Sequence, residues 1–118
     1  MATITARGEN FETKTFEAPD GKRLVLAIED AGIPILHRCG GKARCTTCRV
    51  TFNEGEPATY HWREKEKLEN EGKMGEFRLS CHILCEGEID VNVLMSMLTT
   101  DLPDPGPRPA SEIPEEIE

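Results

Sequence analysis

The stretch CGGKARCTTCRV, at residues 39–50, contains three of the chain's five cysteines. Cys39, Cys45 and Cys48 are spaced as C-x5-C-x2-C, and Cys81 follows after 32 intervening residues. Three close cysteine ligands with one remote ligand are typical of a 2Fe-2S cluster site. We therefore predict that these four cysteines bind one 2Fe-2S cluster.

The residues between these cysteines suit a loop that wraps closely around a cluster. Gly40, Gly41 and Ala43 permit a close backbone approach and unusual dihedral angles. The hydroxyl groups of Thr46 and Thr47 are placed to donate hydrogen bonds to the site. No helical or strand period runs through this segment, which predicts a specialised loop.

The loop and its flanks are also basic. The basic side chains are those of His37, Arg38, Lys42, Arg44 and Arg49. We interpret them as a partial offset to the negative charge of a cluster with four thiolates. The alternative is a role in tuning the reduction potential or in contacting an acidic partner.

Other uses of the cysteines fit the spacing less well. Zinc sites with four cysteines usually take two tight pairs, and this chain has one C-x2-C pair. Rieske ligation requires two histidines in tight motifs with cysteines, which His37, His61 and His82 do not form. An odd number of cysteines without a secretory leader argues against a disulfide framework.

Length and composition predict a single domain followed by a tail. The chain has 118 residues, of which 37% are hydrophobic and 5% aromatic, so its apolar core is modest and a bound metal is the favoured additional stabiliser. We assign residues 1–100 to the domain and residues 101–118 to the tail. The tail is rich in proline and acidic residues, which favours extended polyproline or disorder.

Residue periodicity predicts the order of the secondary-structure elements. Apolar residues recur at helical spacing from Leu24 to Ala31, and Gly32 is a typical stop signal. The predicted elements are a hairpin of strands at residues 3–7 and 11–17, a helix at 23–31, a strand at 49–53, an exposed helix at 60–71, and a closing hairpin of residues 76–84 with 88–93.

Residues 39–50 and 78–81 resemble 2Fe-2S ferredoxins of the plant and adrenodoxin type. The five-residue gap after Cys39 is more similar to the adrenodoxin and bacterial branch than to the plant branch, which has four. Arg78-Leu79-Ser80-Cys81 resembles the family's Arg-Leu-small-Cys segment, which carries the fourth ligand. The resemblance implies an α+β, β-grasp (ubiquitin-like) fold with a mixed sheet, one crossing helix and a cluster-binding loop.

The resemblance also implies how the ligands divide between the irons. Cys39 and Cys45 would bind the iron nearer the surface, and Cys48 and Cys81 the inner iron. His82 stands where the family usually has glutamine, and the proline-rich tail is not a core family feature. Neither difference affects ligation.

Cys85 lies four residues beyond Cys81 and competes with it as the remote ligand. On an extended strand the two would face the same side about 13 Å apart, at about 3.3 Å per residue, so one cluster cannot use both. The context favours Cys81. We interpret Cys85 as a buried cysteine that packs as a small hydrophobic residue.

A 2Fe-2S cluster takes up and releases one electron, so the predicted function is one-electron transfer. The sequence has no glycine-rich nucleotide loop, no flavin motif and no acid–base pair beside a nucleophile, and we do not predict an enzyme. The resemblance implies a carrier between a reductase and an acceptor enzyme. Two alternatives stay open, namely a redox-dependent binding or protective 2Fe-2S protein and a structural metal-domain subunit.

The partner surface is predicted from the same resemblance and from charge. A docking helix from Tyr60 to Glu71 would meet basic partners, although its interspersed lysines equally suit an ordinary solvated helix with i,i+4 pairs. Its acidic residues are Glu64, Glu66, Glu69 and Glu71. The tail is a candidate contact for a homo-oligomer.

Charge and hydropathy predict the surroundings in which the protein works. The net charge of -8 disfavours nucleic acid and anionic membranes as partners. The longest aliphatic stretch, residues 24–28, is too short to span a bilayer, and no apolar leader is visible. We therefore expect a cytoplasmic protein.

Overall fold

The computed structural model describes residues 1–38, 40–41, 43, 45–100, 104–111 and 113. The strands in these residues are β1 (Ala2–Gly8), β2 (Lys14–Ala18), β3 (Arg49–Glu54), β4 (Arg78–Leu79) and β5 (Glu88–Val93), and the helices are α1 (Leu24–Asp30) and α2 (Trp62–Glu71). A 3-10 turn, Ser80–His82, follows β4. Within this described part, neither α-helix has the length and apolar character needed to cross a bilayer.

These strands form one mixed sheet in the order β2-β1-β5-β3-β4. β5 lies at the centre, parallel to β1 with Ile4 opposite Ile89, and antiparallel to β3 with Val50 opposite Val93. β1 and β2 pair as the predicted antiparallel hairpin. This arrangement confirms the predicted α+β, β-grasp class with a mixed sheet.

The predicted closing hairpin of residues 76–84 with 88–93 is wrong. β4 is only two residues long and pairs with β3, whereas β5 pairs with β1 and β3. The chain leaves the sheet at the 3-10 turn Ser80–His82, so Cys81 and Cys85 do not lie on one extended strand. The alternation of apolar residues identified β5 as a strand, but its partners are distant in sequence.

α1 covers one face of the sheet and supplies much of the core. All five residues of its first part, 24–28, are buried, and they belong to the same core cluster as Ile33, Ile35 and buried residues of the strands. The helix ends where predicted, since Gly32 adopts φ +93° and its N–H donates to the Glu29 carbonyl at 2.9 Å. A left-handed conformation costs glycine less than any other residue type.

α2 is less exposed than the sequence predicts. It begins after His61, whose Nδ1 accepts a hydrogen bond from the Arg63 N–H at 3.1 Å, and it ends at the left-handed Gly72. Arg63 and Glu64 are buried with Leu68, whereas the later acidic residues of the helix are exposed. The prediction that Glu64 belongs to an exposed docking surface is therefore wrong.

Glu64 is buried because it binds Arg78 at the start of β4. The Nε and Nη2 atoms of Arg78 donate to the two carboxylate oxygens of Glu64 at 2.7 and 3.1 Å, and the Leu79 N–H donates to the same carboxylate at 2.9 Å. The Arg78 guanidinium also lies 3.8 Å from the centre of the Tyr60 ring. These contacts hold α2 and the preceding loop against the strand that leads to Cys81.

Candidate cluster-binding site

Three of the four predicted ligands lie in the described part of the fold. Cys45 is half-buried in the loop, Cys48 is buried immediately before β3, and Cys81 is buried in the 3-10 turn after β4. Cys39 lies outside the described residues. Within the described residues, no group of three histidine, cysteine or carboxylate side chains is arranged to hold a metal ion. The four-cysteine ligand set therefore stays a prediction.

The pairing of β3 with β4 brings two ligand segments side by side. Arg49 lies opposite Leu79, which places Cys48 and Ser80 next to each other. The backbone N–H and the side-chain hydroxyl of Ser80 both donate to the Cys48 carbonyl, at 3.1 and 2.7 Å. A remote cysteine, Cys81, is thereby held beside the end of the loop.

The loop has the unusual backbone that its small residues predicted. Gly40, Gly41 and Ala43 have φ angles of 73°, 79° and 58°, all in the left-handed region. A non-glycine residue is uncommon there and carries a local strain cost, which the surrounding contacts must offset. The loop therefore has the tight winding that a 2Fe-2S cluster requires, and the described cysteine thiols and small residues fit that group.

The two glycines are also needed for a second reason, which the sequence did not reveal. A β-carbon on Gly41 would lie 2.6 Å from the Pro109 Cβ and 2.8 Å from the Arg23 Nη2, and one on Gly40 would lie 3.3 Å from the Pro107 Cγ. The prolines belong to the C-terminal tail. Pro107 and Pro109 of the tail therefore pack directly on the backbone of the candidate site.

The predicted threonine hydroxyl contact is present for Thr47. Its Oγ1 lies 3.1 Å from the Cys45 sulfur and accepts the Arg38 N–H at 3.0 Å, which leaves its own hydrogen available to the sulfur. Thr46 behaves differently, because its hydroxyl oxygen accepts a hydrogen bond from the Arg49 guanidinium. Thr47 can thus stabilise a thiolate at Cys45.

His82 gives Cys81 a similar contact. Its Nδ1 lies 3.1 Å from the Cys81 sulfur in the buried interior, and the edge of the ring packs against His61 with centroids 4.6 Å apart. Burial, with smaller contributions from neighbouring positive groups, lowers the pKa of His82 to about 3.

The basic residues of the loop have protein partners where the structure describes them. His37 is buried, with Nε2 2.7 Å from Glu29, and Arg38 binds Asp104 at 3.0 Å. Arg49 packs on the Phe77 ring at 4.4 Å. Lys42 and Arg44 lie outside the described residues. A role of these charges in offsetting a cluster stays a prediction.

Two buried arginines, Arg23 and Arg78, support the site, and the sequence did not predict this role for either. Arg78 holds β4 against α2 through Glu64. The sequence feature that pointed to Arg78 was its position in the segment that resembles the family motif. Arg23 is fully buried and its Nε donates to the Cys81 carbonyl at 2.7 Å. Nothing in the sequence distinguished Arg23 from an ordinary residue at the start of a helix.

Cys85 has the properties of a packing residue. It is 1% exposed, and burial raises the pKa of its thiol to about 11. Its backbone N–H and carbonyl bind the Lys22 carbonyl and the Gly21 N–H, at 2.8 and 2.9 Å. These contacts support its interpretation as a small hydrophobic residue.

The chain is similar to known iron–sulfur proteins over most of its length. Residues 7–86 match the family model of the 2Fe-2S iron-sulfur cluster binding domain. The 2Fe-2S ferredoxin-5 of Aquifex aeolicus is 32% identical over 83 residues, which cover 68% of this chain and 86% of that protein. One component of the Na⁺-translocating NADH-quinone reductase of Yersinia pestis is 29% identical over 80% of this chain, but the match spans only 22% of that component.

A solved structure shows the same fold. A reduced single-site variant of putidaredoxin from Pseudomonas putida is 30% identical, with a TM-score of 0.62, and the match covers 78% of this chain and 95% of putidaredoxin. The covalent complex of putidaredoxin with putidaredoxin reductase matches at the same identity. The family match, the mixed sheet and the cysteine loop agree, and this chain belongs to the 2Fe-2S ferredoxins of the plant and adrenodoxin type.

Proposed function

We propose that this protein carries single electrons between a reductase and an acceptor enzyme, with one 2Fe-2S cluster bound by Cys39, Cys45, Cys48 and Cys81. The observation that carries the proposal is the pairing of β3 with β4, which sets the remote Cys81 segment beside the left-handed cysteine loop. The bound cluster supplies a reversible one-electron couple. The proposal requires no catalytic residue, and it places the protein in the cytoplasm, where thiols stay reduced.

The chain's own residues would hold and tune the site. Thr47 has a hydrogen to donate to the Cys45 sulfur, and the His82 Nδ1 lies within hydrogen-bond distance of the Cys81 sulfur. Hydrogen-bond donors at these positions would stabilise the thiolate form. Cys48 and Cys81 are buried, so water is kept from that side. Cys45 is half-buried, so electrons would enter and leave on its side of the loop.

The alternative of a structural assembly subunit was suggested by the tail. Residues of the tail contact the chain's own loop, as Pro107 and Pro109 do at Gly40 and Gly41. This use of the tail within one chain supports the carrier over the assembly subunit. A protein that binds an enzyme only in one redox state would use the same cluster and stays the second candidate.

The cluster assignment predicts the optical and magnetic spectra of the purified protein. We expect a reddish-brown protein with about two iron and two sulfide per chain, silent in EPR as isolated and with an S = 1/2 signal after dithionite reduction. Iron and sulfide analysis with absorption and EPR spectra checks this. Colourless protein with stoichiometric zinc would contradict the proposed function.

We place the partner-docking surface on the exposed acidic face of α2, beside the ligand-bearing turn. Glu66, Glu69 and Glu71 are exposed, and α2 contacts β4 immediately before Cys81. Glu71 also pairs with Lys67 at 3.1 Å, the i,i+4 pair expected of a solvated helix. The covalent complex of putidaredoxin with its reductase supports a reductase as the donor.

Charge reversal on α2 tests this surface. With a reductase that reduces the wild-type protein, we expect Glu69→Lys with Glu71→Lys to slow association about tenfold at low salt, because electrostatic steering is lost. The dependence of the rate on salt should flatten, while the reduction potential stays unchanged. Stopped-flow reduction at several ionic strengths measures both.

The control changes the net charge equally at the opposite edge of the sheet. Glu12 and Glu17 are exposed in and beside β2, which lies at the other end of the strand order from β4. Glu12→Lys with Glu17→Lys should leave the rate close to wild type. Equal slowing by both pairs would show that total charge, rather than the face of α2, controls association.

A further inference from the structure

The C-terminal segment of residues 104–110, here called the strap, lies along the start of the cysteine loop. The His37 N–H donates to the Pro105 carbonyl at 2.8 Å, and Arg38 Nη1 donates to the Asp104 carbonyl at 2.7 Å. Gly106 fits so closely that a β-carbon there would lie 2.6 Å from both the His37 carbonyl oxygen and the Arg38 Cα. The strap therefore binds the backbone that leads into the predicted ligand Cys39.

The strap and the glycines of the loop fit each other closely. Pro109 is buried, and its ring lies where a β-carbon on Gly41 would otherwise project. Pro107 has the same relation to Gly40. Proline loses little conformational freedom on packing because its φ is already fixed, which suits a segment with no hydrogen-bonded secondary structure of its own.

One buried guanidinium joins the strap to both ligand-bearing segments. Arg23 Nε donates to the Cys81 carbonyl at 2.7 Å, its Nη1 donates to the Ala110 carbonyl at 2.9 Å, and its Nη2 donates to the Gly41 carbonyl. These three carbonyl groups belong to the fourth-ligand turn, the strap and the loop. Only arginine presents several donors in a fixed planar fork, so lysine cannot make the same set.

A second attachment uses the acidic end of α1. Arg108 of the strap binds Glu29 at 2.7 Å and Asp30 at 3.0 Å. Glu29 also contacts the buried His37 at 2.7 Å. Exposed ion pairs of the Arg108 kind stabilise little, so the backbone contacts and Arg23 are the main attachment.

We infer that the strap is part of the cluster-binding site and that Arg23 is the positioning residue that connects it to the ligand segments. The strap holds residues 37–38 and 40–41 in their path and covers that side of the loop. Chelators, oxidants and partner proteins then reach the site from the side of Cys45 to Thr47. This inference rests on the proposed function only in that the site holds a cluster.

A truncation series separates the strap from the rest of the tail. A chain that ends at Thr100 lacks the strap, and a chain that ends at Ser111 keeps it and serves as the matched control. Without the strap we expect iron release to a chelator to be about tenfold faster, at the low end of the effect of groups that support metal ligands from outside. The chain that ends at Ser111 should release iron at the full-length rate.

Hydrogen exchange gives a readout that does not depend on the cluster. The His37 amide loses its acceptor, the Pro105 carbonyl, when the strap is absent, so the peptide that contains His37 should exchange faster in the chain that ends at Thr100. Mass spectrometry of exchanged protein, with and without cluster, measures this. A full-length protein that binds no 2Fe-2S cluster would contradict the proposed function, whereas the exchange result tests the strap itself.

If the chain that ends at Thr100 does not fold, two full-length variants test the role of the strap instead. Gly106→Val displaces the strap without removing a residue, because Gly106 has φ +105° and no room for a β-carbon. Arg23→Lys keeps the charge but loses the fork, and it should also accelerate iron release. If Gly106→Val releases iron and exchanges the His37 amide at the rates of the wild-type protein, the inference is overturned.

Discussion

Cys81→Ser is expected to abolish stable 2Fe-2S assembly, whereas Cys85→Ala should leave the absorption and EPR spectra of the protein intact. Cys81 is held by β4 and by Arg23 next to the loop, and a serine oxygen is a much poorer ligand for iron than a thiolate. Cys85 is bound through its backbone to residues 21–22, and its thiol is buried with a raised pKa. Iron and sulfide content after reconstitution measures the difference.

Alanine is the appropriate replacement at Cys85 because a buried serine hydroxyl would need a hydrogen-bond partner of its own. The same reconstitution applied to Cys45→Ser and Cys48→Ser tests two further members of the ligand set. Cluster loss in Cys85→Ala together with retention in Cys81→Ser would show that the remote ligand is Cys85.

Arg78→Met should be strongly destabilising, because it leaves the Glu64 carboxylate buried without its arginine partner. Breaking a buried ion pair by removing one side costs about 3–5 kcal/mol. Small domains have about 5–15 kcal/mol of stability in total, so the loss would be a large share. The midpoint of thermal unfolding, followed by circular dichroism on the reconstituted protein, measures the effect.

The double variant Arg78→Met with Glu64→Leu provides the internal control. Removing both charges leaves no unpaired ion, so the double variant should recover part of the stability that the single variant loses. Arg7→Met removes an arginine from an exposed pair with Asp90 and should have a much smaller effect. If Arg7→Met and Arg78→Met lower the unfolding midpoint equally, burial of the Arg78–Glu64 pair does not determine its contribution to stability.

Local patterns predicted the elements of this fold, but not how the last strand pairs. Helical spacing with Gly32 located α1 to within a residue at each end, and alternation located β5 at the residues where a half-buried strand was expected. The short β4 and the turn after it were misread as one long strand. That error arose because Arg78 and Ser80 are fixed by distant partners, which no local pattern contains.

The cysteines and small residues of the candidate site were predictable from the sequence. The buried charged residues that support the site were not. The left-handed backbone at Gly40, Gly41 and Ala43 followed from residue type. Burial of Glu64 did not, because a carboxylate among lysines on a helix looks solvated until its buried arginine partner is known. The hydrogen bonds of Arg23 join residues that lie 18 to 87 positions apart, so no spacing rule could reveal them.

The central position of β5 determines when the chain can fold. Among the described strands, β1 is the first and its parallel partner β5 is the last, so pairs such as Arg7 with Asp90 are separated by 83 positions. Long-range pairing of this kind is slow, because the entropy of closing the loop is lost before the contacts form. An emerging chain would hold its N-terminal hairpin and α1 without a finished sheet until β5 is made. Cluster insertion therefore belongs after β5 has been made, when β3 and β4 have a complete sheet to pair within.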